Sequence, residues 1–311
     1  MKELINDIYE NNLYALEDKL AYTDINILDE KNNSLLHYAI YYKRVEICYF
    51  LINKHIFLNQ QNNHKLTPLY LACHYNLVGV VASLLKNNAN INILDSKGDS
   101  PFYHACSLGR DEIIEVFLEY DNTLFSKCNR LNNNGYFALI YSNNFSLFKK
   151  YFDKNFLYHK NNNNDTMLHI ATKKNNYQIV DFLVNERLYL NIFNKDKITP
   201  LYYAVDNNNY NMTKLLLKNG AFTFFDDKLI DKIKRLNENL LIYDKTREYY
   251  VKYKLHYSII KNDEVSFNNY LNNYQLLIKD FYNYSAIDLA KIVNKNLYKK
   301  LTDLKRLKYI D

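Results

Sequence analysis

Apolar residues recur one helical turn apart along most of the chain, in short runs that polar, asparagine-rich segments separate. The clearest runs pair two apolar residues with two more, four positions later: Ile47/Cys48 with Leu51/Ile52, Val80/Val81 with Leu84/Leu85, Ile113/Ile114 with Phe117/Leu118, and Ile179/Val180 with Leu183/Val184. This spacing places one apolar stripe on each segment, and it predicts amphipathic helices that bury one face.

A six-residue sequence precedes each of these helices at a nearly constant spacing. It reads SLLHYA from Ser34, TPLYLA from Thr67, SPFYHA from Ser100, TMLHIA from Thr166 and TPLYYA from Thr199, so the copies are 33, 33, 66 and 33 residues apart. Weaker copies begin at Gly135, Tyr253 and Ser285, and a first helical unit begins near Glu3. A period of this length predicts a repeat protein, here of about nine units.

The hexamer has the composition of a helix start. Its first Ser or Thr can accept a hydrogen bond from an unpaired backbone N–H of the first helical turn. Pro68, Pro101 and Pro200 follow at the first helical position, where no N–H is needed. An asparagine also recurs eight residues before the hexamer, at Asn26, Asn59, Asn92 and Asn191. The loop and the helix therefore keep one fixed offset.

These features resemble the ankyrin repeat family. The resemblance rests on KLTPLYLA (65–72), DSPFYHA (99–105), DTMLHIA (165–171) and ITPLYYA (198–204), with the turn segments NANINILDSKG (88–98) and KNGAF (218–222). It implies an all-α solenoid, a stack of about nine helix-pair units with projecting hairpin-like loops. It covers residues 1–225, as about seven units of which the first is an N-terminal cap. It extends more weakly to 253–311, as two degenerate, basic C-terminal repeats or a cap, and 226–252 is expected to be an irregular helical insertion that breaks the stack.

Most units carry asparagine where the family has a loop glycine, as in EKNNS (30–34) and NNNND (161–165). Asparagine tolerates the left-handed backbone region better than other non-glycine residues. We therefore expect residues 161–164 to form a loop tip, ordered at its base and mobile at its end, and not a disordered insert.

The resemblance implies that a partner binds the concave face and the loop tips of the stack. On the concave face the motif places Tyr38, Tyr41, Tyr42, His74, Tyr75, His104, Lys173, Lys174 and Tyr203. At the loop tips it places Lys31, Asn32, His64, Lys65, Asp95, Lys97, Asn162, Asn163, Lys195 and Lys197. The first units thus present an aromatic, nearly uncharged strip, and tyrosine is enriched at interaction hot spots. The alternative is that a chain with 31 tyrosines places them everywhere.

Three histidines occupy the fourth hexamer position, where the resemblance implies a hydrogen bond between loops: His37, His169 and His256. Cys73 and Cys106 follow the motif alanine and are expected in the core, with His74 and His104 facing the groove. The sequence contains no zinc-ligand spacing and no phosphate-loop or nucleophile motif. We expect no metal, no cofactor and no enzymatic activity.

The net charge of +6 is concentrated in the last quarter of the chain. Residues 228–311 carry 17 Lys and Arg against 10 Asp and Glu, whereas residues 1–227 carry 23 against 24. A solvated face on a capping unit explains this excess. The alternative is an anionic partner such as nucleic acid, lipid or an acidic protein tail, although no dense basic block favours nucleic acid.

The start of the chain, MKELINDIYENN, has no apolar segment of the kind that a secretory signal needs, and no apolar run approaches the length of a membrane span. Four cysteines in 311 residues fit a reducing compartment. We therefore expect a cytoplasmic monomer, in the host cytosol if the chain is a viral protein or a secreted effector. Its predicted function is protein–protein interaction without catalysis. The alternative is a pathogen- or virus-derived inhibitor or adaptor that sequesters a host or competitor component.

Overall fold

The computed structural model describes residues 1–186, 188–224, 226–271, 276, 278–280 and 283–307. The chain divides into two compact units, 1–152 and 153–311. The described residues form α-helices and short 3₁₀ helices, and their β-structure is limited to isolated bridges at Leu28–Ser34 and Lys279–Ser285. The predicted all-α solenoid class is confirmed.

The first unit consists of five helix pairs. They are α1 (Lys2–Tyr9), α2 (Leu13–Leu20), α3 (Leu35–Tyr41), α4 (Val45–Asn53), α5 (Pro68–His74), α6 (Val78–Lys86), α7 (Pro101–Leu108), α8 (Asp111–Tyr120), α9 (Gly135–Tyr141) and α10 (Phe145–Tyr151). A 3₁₀ helix, Leu124–Ser126, precedes α9. The first helices of successive pairs pack on one another from α1 to α9, and the second helices do so from α4 to α8.

The second unit contains four further pairs and an intervening segment. Its helices are α11 (Met167–Lys173), α12 (Tyr177–Asn185), α13 (Pro200–Asp206), α14 (Tyr210–Lys218), α15 (Asp227–Asn237), α16 (Thr246–Lys252), α17 (Lys254–Lys261), α18 (Glu264–Tyr270), α19 (Ala286–Val293) and α20 (Lys295–Leu307). Two 3₁₀ helices are Lys154–Phe156 and Glu238–Tyr243. Helix α11 packs on α13, and α17 packs on α18 and α19.

The apolar stripes read from the sequence form the cores of both units. Ile47, Cys48, Leu51 and Ile52 are at most 1% exposed, and the corresponding residues of α6 and α12 are buried as well. At about 1.5–3 kcal/mol for each fully buried aliphatic side chain, this repeated stripe is the main source of stability. Because each pair packs chiefly on its neighbours, that stability is spread along the chain.

Segment 226–252 forms a shortened continuation of the helix pairs before it. Helix α15 packs against α13, and the 3₁₀ helix Glu238–Tyr243 packs against α14. The carboxylate of Asp226 caps α15 by accepting a hydrogen bond from the backbone N–H of Leu229 at 3.1 Å. Leu229 and Ile233 are the buried residues of α15, whose remaining face is polar. The packing then changes, since α17 packs on α16 and on the two helices that follow.

The helix starts follow the expected capping chemistry at Ser34, Thr67 and Ser100, whose hydroxyl oxygens accept a backbone N–H of the first turn. Thr199 makes no such bond, because the N–H of Tyr202 donates to the backbone carbonyl of Thr199 instead, at 3.1 Å. The fourth copy begins one residue earlier than expected. Its cap is Asn134, and Gly135 takes the first helical position.

Asparagine does replace glycine in the loops. Asn32, Asn132 and Asn164 have φ of 59°, 59° and 60° at the equivalent loop position, where Gly98 has 87°. Asparagine also takes left-handed φ between the two helices of several pairs, at Asn11, Asn76, Asn143, Asn175, Asn208 and Asn262. The asparagine-rich composition is therefore part of the fold, since it supplies turns that few other side chains tolerate.

Candidate protein-binding site

At seven loop tips within the described ranges, one Asp or Asn side chain accepts hydrogen bonds from the backbone of the turn. These residues are Asp29, Asn62, Asp95, Asn129, Asn161, Asn194 and Asp280. In the run of four asparagines, Oδ1 of Asn161 accepts from the N–H groups of Asn163 and Asp165, both at 2.9 Å. Such hydrogen bonds pair backbone N–H groups that would otherwise be paired in a helix or sheet, and they fix the loop geometry.

Adjacent tips are also joined by backbone hydrogen bonds. Asn63 N–H donates to the carbonyl of Lys31 at 2.9 Å, and Lys195 N–H donates to that of Asn163 at 2.9 Å. The Asn32 amide adds a side-chain bond to Asn63, at 2.6 Å. The tip at 161–164 is therefore bonded at its end as well as at its base, whereas we had expected order at the base alone.

The recurring asparagine before the hexamer joins successive units. Oδ1 of Asn26, Asn59 and Asn191 accepts the backbone N–H of a residue 31 positions later, at 2.8, 2.8 and 2.7 Å. Asn191 is 2% exposed and also donates to the carbonyl of Gly220 at 2.7 Å. Each of these three asparagines thus bonds the loop that follows one helix pair to the loop that follows the next helix pair.

The motif histidines make the expected bonds between loops. Nε2 of His37 lies 3.0 Å from the Leu66 carbonyl, and Nε2 of His169 and His256 lies 3.2 and 3.0 Å from the carbonyls of Ile198 and Ile278. Because a carbonyl only accepts, Nε2 carries the proton. Nδ1 of His37 then accepts the N–H of Ser34 at 3.1 Å. Burial favours this neutral form, lowering the pKa of His37 and of His256 and lowering that of His169 to about 4.

In the first unit, aromatic side chains from four successive helix pairs contact one another in a row, which we call the aromatic strip. Its members are Tyr9, Tyr38, Tyr41, Tyr42, Tyr70, His74, Tyr75 and His104. The ring centroids of Tyr41 and Tyr75 are 5.9 Å apart at an interplanar angle of 89°, and those of Tyr70 and His104 are 4.2 Å apart and stacked. Such edge-to-face and stacked pairs are the favoured aromatic geometries.

Two members of the aromatic strip, His104 and Tyr38, are held in their neutral forms near pH 7. Burial and the neighbouring His74 lower the pKa of His104 to about 4, and Nδ1 of His74 is 3.2 Å from Nε2 of His104. Burial and a hydrogen bond to Asp29 raise the pKa of Tyr38 to about 12; its hydroxyl donates to that carboxylate at 2.7 Å. These two rings therefore carry no formal charge, while the nearby Lys43 ammonium lies 5.9 Å from the ring centroid of Tyr75.

Six of the strip residues were predicted from the motif, and the structure adds Tyr9 and Tyr70. Tyr9 lies 5.3 Å from Tyr42, and Tyr70 stacks on His104. The repeat register contained the signal for Tyr9, because Tyr9 precedes Tyr42 by one period of 33 residues. Tyr70 takes the fourth hexamer position, which three other units fill with the bridging histidine.

In the second unit the predicted concave-face residues are more polar. The Lys173 ammonium lies 5.4 Å from the Tyr203 ring centroid, and Lys174 is exposed. The Tyr203 hydroxyl accepts a hydrogen bond from the amide of Asn194 at 3.3 Å. The pairing of Lys173 with Tyr203 is cation–π in type and is weak at an exposed position.

The predicted tip residues are exposed in most cases: Lys31, Asn32, His64, Lys65, Lys97, Asn162, Lys195 and Lys197. Asn163 is half-buried, and its amide donates to Asp196 at 3.1 Å. Asp95 is a correction. It is 3% exposed, because its carboxylate accepts the backbone N–H groups of Lys97 and Asp99 from inside the turn. Its role is to shape the tip, and it offers a partner no contact area.

The cysteines and histidines that lie together in sequence separate in the structure as expected. Cys73 and Cys106 are buried, and His74 is exposed on the aromatic strip. Burial raises the pKa of both thiols above its usual value. Among the described residues no group of three His, Cys, Asp or Glu side chains is placed to hold a metal ion. In the same part of the chain, no helix is long and apolar enough to cross a membrane.

Repeated helix pairs joined by hydrogen-bonded loop tips define a helical repeat protein. A family model for ankyrin repeats matches residues 2–95 and 140–227, which is more than half of the chain. The chain belongs to the ankyrin repeat family. Ankyrin repeats are general protein–protein interaction modules, and the fold is typically a scaffold without catalysis.

Several curated proteins are similar over part of their length. The ankyrin repeat protein L371 of Acanthamoeba polyphaga mimivirus is 27% identical over 66% of this chain and 29% of its own length. The human transient receptor potential channel subunit A1 is 24% identical over 71% of the chain and 21% of its own length. The rat NF-kappa-B inhibitor alpha is 35% identical over 26% of the chain and 27% of its own length. The chain thus matches less than a third of these relatives.

Solved structures share the fold. The ankyrin repeat domain of human ASB11 aligns with a TM-score of 0.59 and 21% identity, covering 70% of this chain and 97% of that one. A chain from the complex of the Bdellovibrio bacteriovorus endopeptidase Bd0816 with the immunity protein Bd3460 aligns with a TM-score of 0.53 and 26% identity. It covers 60% of this chain and 98% of that one.

Proposed function

We propose that the protein binds a partner protein through the aromatic strip of residues 1–152. The observation that carries this proposal is the continuous row of ring contacts from Tyr9 to His104. Tyr41 remains 56% exposed although it contacts both Tyr42 and Tyr75. An accessible ring that its neighbours already hold in place loses little conformational entropy when a partner buries it.

Exposure alone does not explain the strip. Tyr14 and Tyr22 are 84% and 91% exposed, yet neither has a ring neighbour within the described residues. A tyrosine-rich chain therefore has two kinds of exposed tyrosine, isolated rings and contacting rings. Contacting aromatic rings that present polar tips have the character of interaction hot spots.

The loop tips supply a second, weaker contact region in this proposal. Lys31, Lys65 and Lys97 lie 34 and 32 residues apart, on the hydrogen-bonded tips of three successive repeats. Exposed rim charges of this kind affect the association rate and the orientation of a partner more than they affect the affinity.

The test starts from a partner identified by affinity purification and mass spectrometry from the native cell. Its affinity is then measured for the chain with Tyr41, Tyr42 and Tyr75 all changed to Ala. Tyr14→Ala/Tyr22→Ala/Tyr120→Ala serves as a matched control, because it removes three exposed rings elsewhere. We expect the strip variant to bind at least about thirtyfold more weakly, corresponding to one hot-spot residue of about 2 kcal/mol or more. Equal binding by both variants, with circular dichroism unchanged, rejects the strip.

A second candidate is that binding blocks the partner, which would make the protein an inhibitor or a sequestering adaptor. Two similarities support it: the alignment at 26% identity to a chain of an endopeptidase–immunity protein complex, and the alignment at 35% identity to an NF-kappa-B inhibitor. An assay of the captured partner's own activity, with and without a stoichiometric amount of this chain, tests it. Unchanged activity at saturating concentration argues for a scaffold instead.

A further inference from the structure

The second unit contains a cleft of about 850 Å³ that has no part in the proposed function. It lies where residues of the loop 193–199, together with Thr223, Phe224 and Asp226, face two helix-to-helix turns, the first after α17 and the second between α19 and α20. Binding sites for small molecules and short segments commonly have volumes of about 300–1,000 Å³. The cleft is therefore large enough for a few residues of an extended peptide.

The charges around the cleft are unbalanced. Lys197, Lys261 and Lys295 line it, and Asp226 is the one acidic residue among its lining residues. No ion pair within the described part of the chain involves any of these three lysines. Because Asp226 caps α15, its carboxylate is partly occupied by a backbone N–H. A cleft lined this way attracts an anionic group.

One of the lysines is held in place by aromatic rings. The Lys261 ammonium lies 5.5 Å from the ring centroid of Phe193 and 5.1 Å from that of Phe224, and the two centroids are 4.8 Å apart. Partial desolvation lowers the pKa of Lys261; the Asp226 carboxylate opposes this shift, and the Lys197 ammonium adds to it. The charge is thus positioned before a ligand arrives.

The same contacts decide between classes of anionic ligand. A nucleic acid gains much of its affinity for such sites from stacking of bases on open aromatic faces. Here Lys261 covers a face of Phe193 and of Phe224, and Lys232 lies 4.7 Å from the Tyr202 ring centroid. The cleft instead combines ammonium groups with the half-buried side chains of Phe193 and Val293 and the exposed amides of Asn164 and Asn296.

We infer that this cleft binds an acidic peptide segment of a partner protein, with Lys197, Lys261 and Lys295 pairing with its carboxylates. The amides of Asn164 and Asn296 lie beside these lysines and can bond to the peptide backbone, and Phe193 and Val293 can contact an apolar residue between the carboxylates. The site is independent of the aromatic strip, since its lining residues all belong to 153–311 and the strip residues to 1–152. Failure of one proposal therefore leaves the other intact.

The experiment measures binding of a short fluorescein-labelled peptide of Glu, Asp and Leu to the full chain by fluorescence anisotropy. A peptide of the same length with Gln and Asn in place of the acids is the neutral comparison. Lys197→Gln/Lys295→Gln removes two exposed charges of the cleft, and a second variant adds Lys261→Gln. Lys228→Gln/Lys291→Gln removes two exposed charges outside the cleft and is the matched control.

We expect the acidic peptide to bind the parent and the control alike, and the neutral peptide to bind neither. Each cleft lysine removed is expected to weaken binding about tenfold, the usual effect of losing one charge-assisted hydrogen bond. Three results would overturn the inference. They are equal binding by the cleft and control variants, no binding of the acidic peptide to the parent, and displacement of that peptide by a thymidine oligonucleotide at lower concentration than by unlabelled peptide.

Discussion

Replacing Asn161 by alanine tests whether the loop tips depend on one side chain. Oδ1 of Asn161 accepts two backbone hydrogen bonds, from Asn163 and Asp165, both at 2.9 Å. A neutral hydrogen bond contributes about 1 kcal/mol net to stability, so the change removes about 2 kcal/mol. Asn161→Asp is the matched control, because Asp29, Asp95 and Asp280 fill the same place in other units. That variant should retain the stability of the parent.

Two measurements check this prediction. Urea unfolding followed by circular dichroism gives the free energy of unfolding, which should fall for Asn161→Ala and not for Asn161→Asp. Native-state hydrogen exchange reports the site directly, because the amides of Asn163 and Asp165 should lose protection in the alanine variant alone. A loss below about 0.5 kcal/mol, the usual range of surface substitutions, together with unchanged protection would refute the reasoning.

The remaining predictions concern a buried amide, two glycines and the histidines. Asn191→Ala should cost about 2–4 kcal/mol in urea unfolding, because the buried Asn191 side chain makes two hydrogen bonds at 2.7 Å whose backbone partners would be left unpaired. Gly135→Ala should cost about 1–3 kcal/mol, since its Cβ would lie 2.6 Å from Cδ1 of Phe125. Gly79→Ala should not destabilise, since the nearest atom there is the mobile hydroxyl of Tyr49. Acidification from pH 7 to about 5 should lower stability by up to about 1.4 kcal/mol per pH unit for each buried motif histidine. The reason is that the unfolded chain takes up protons near pH 6.5, whereas folded His169 does so at about 4. A pH-independent midpoint of unfolding over this range would contradict that prediction.

The repeat could be read from the sequence because each unit repeats the same local chemistry. The hexamer predicted the helix starts, and the histidines at its fourth position predicted where loops are joined. Left-handed asparagines at positions such as Asn32 and Asn164 were predictable from their place in the loop. All these features depend on residues that lie within one repeat, so they can be read from the sequence of that repeat.

The features that the sequence did not predict depend on contacts in the folded chain that the repeat pattern does not reveal. Gly135 stands where three other units have proline, because the ring and backbone of Phe125 approach too closely for a side chain. Asp95 resembles an exposed loop charge in the sequence, but its carboxylate turns inward to the backbone of its own loop. In segment 226–252, α15 and the 3₁₀ helix after it pack on the preceding pair although no hexamer marks them.

The proposed role of the aromatic strip also needs the structure, since the sequence predicts accessible tyrosines without predicting their mutual contacts. Tyr41 and Tyr75 are 34 positions apart, and their 5.9 Å ring distance follows from the packing of α3 on α5. From the sequence alone, Tyr22 is as plausible a binding residue as Tyr41 or Tyr75, although its ring contacts no other ring among the described residues.

Site-specific photocrosslinking in the native cell tests the aromatic strip most directly. A photoreactive phenylalanine analogue is placed at position 41, at position 75 or at position 22, and the crosslinked proteins are identified by mass spectrometry. We predict that positions 41 and 75 crosslink to the same partner protein and that position 22, although 91% exposed in the parent, does not. A partner that crosslinks at position 22 and at neither strip position would contradict the account.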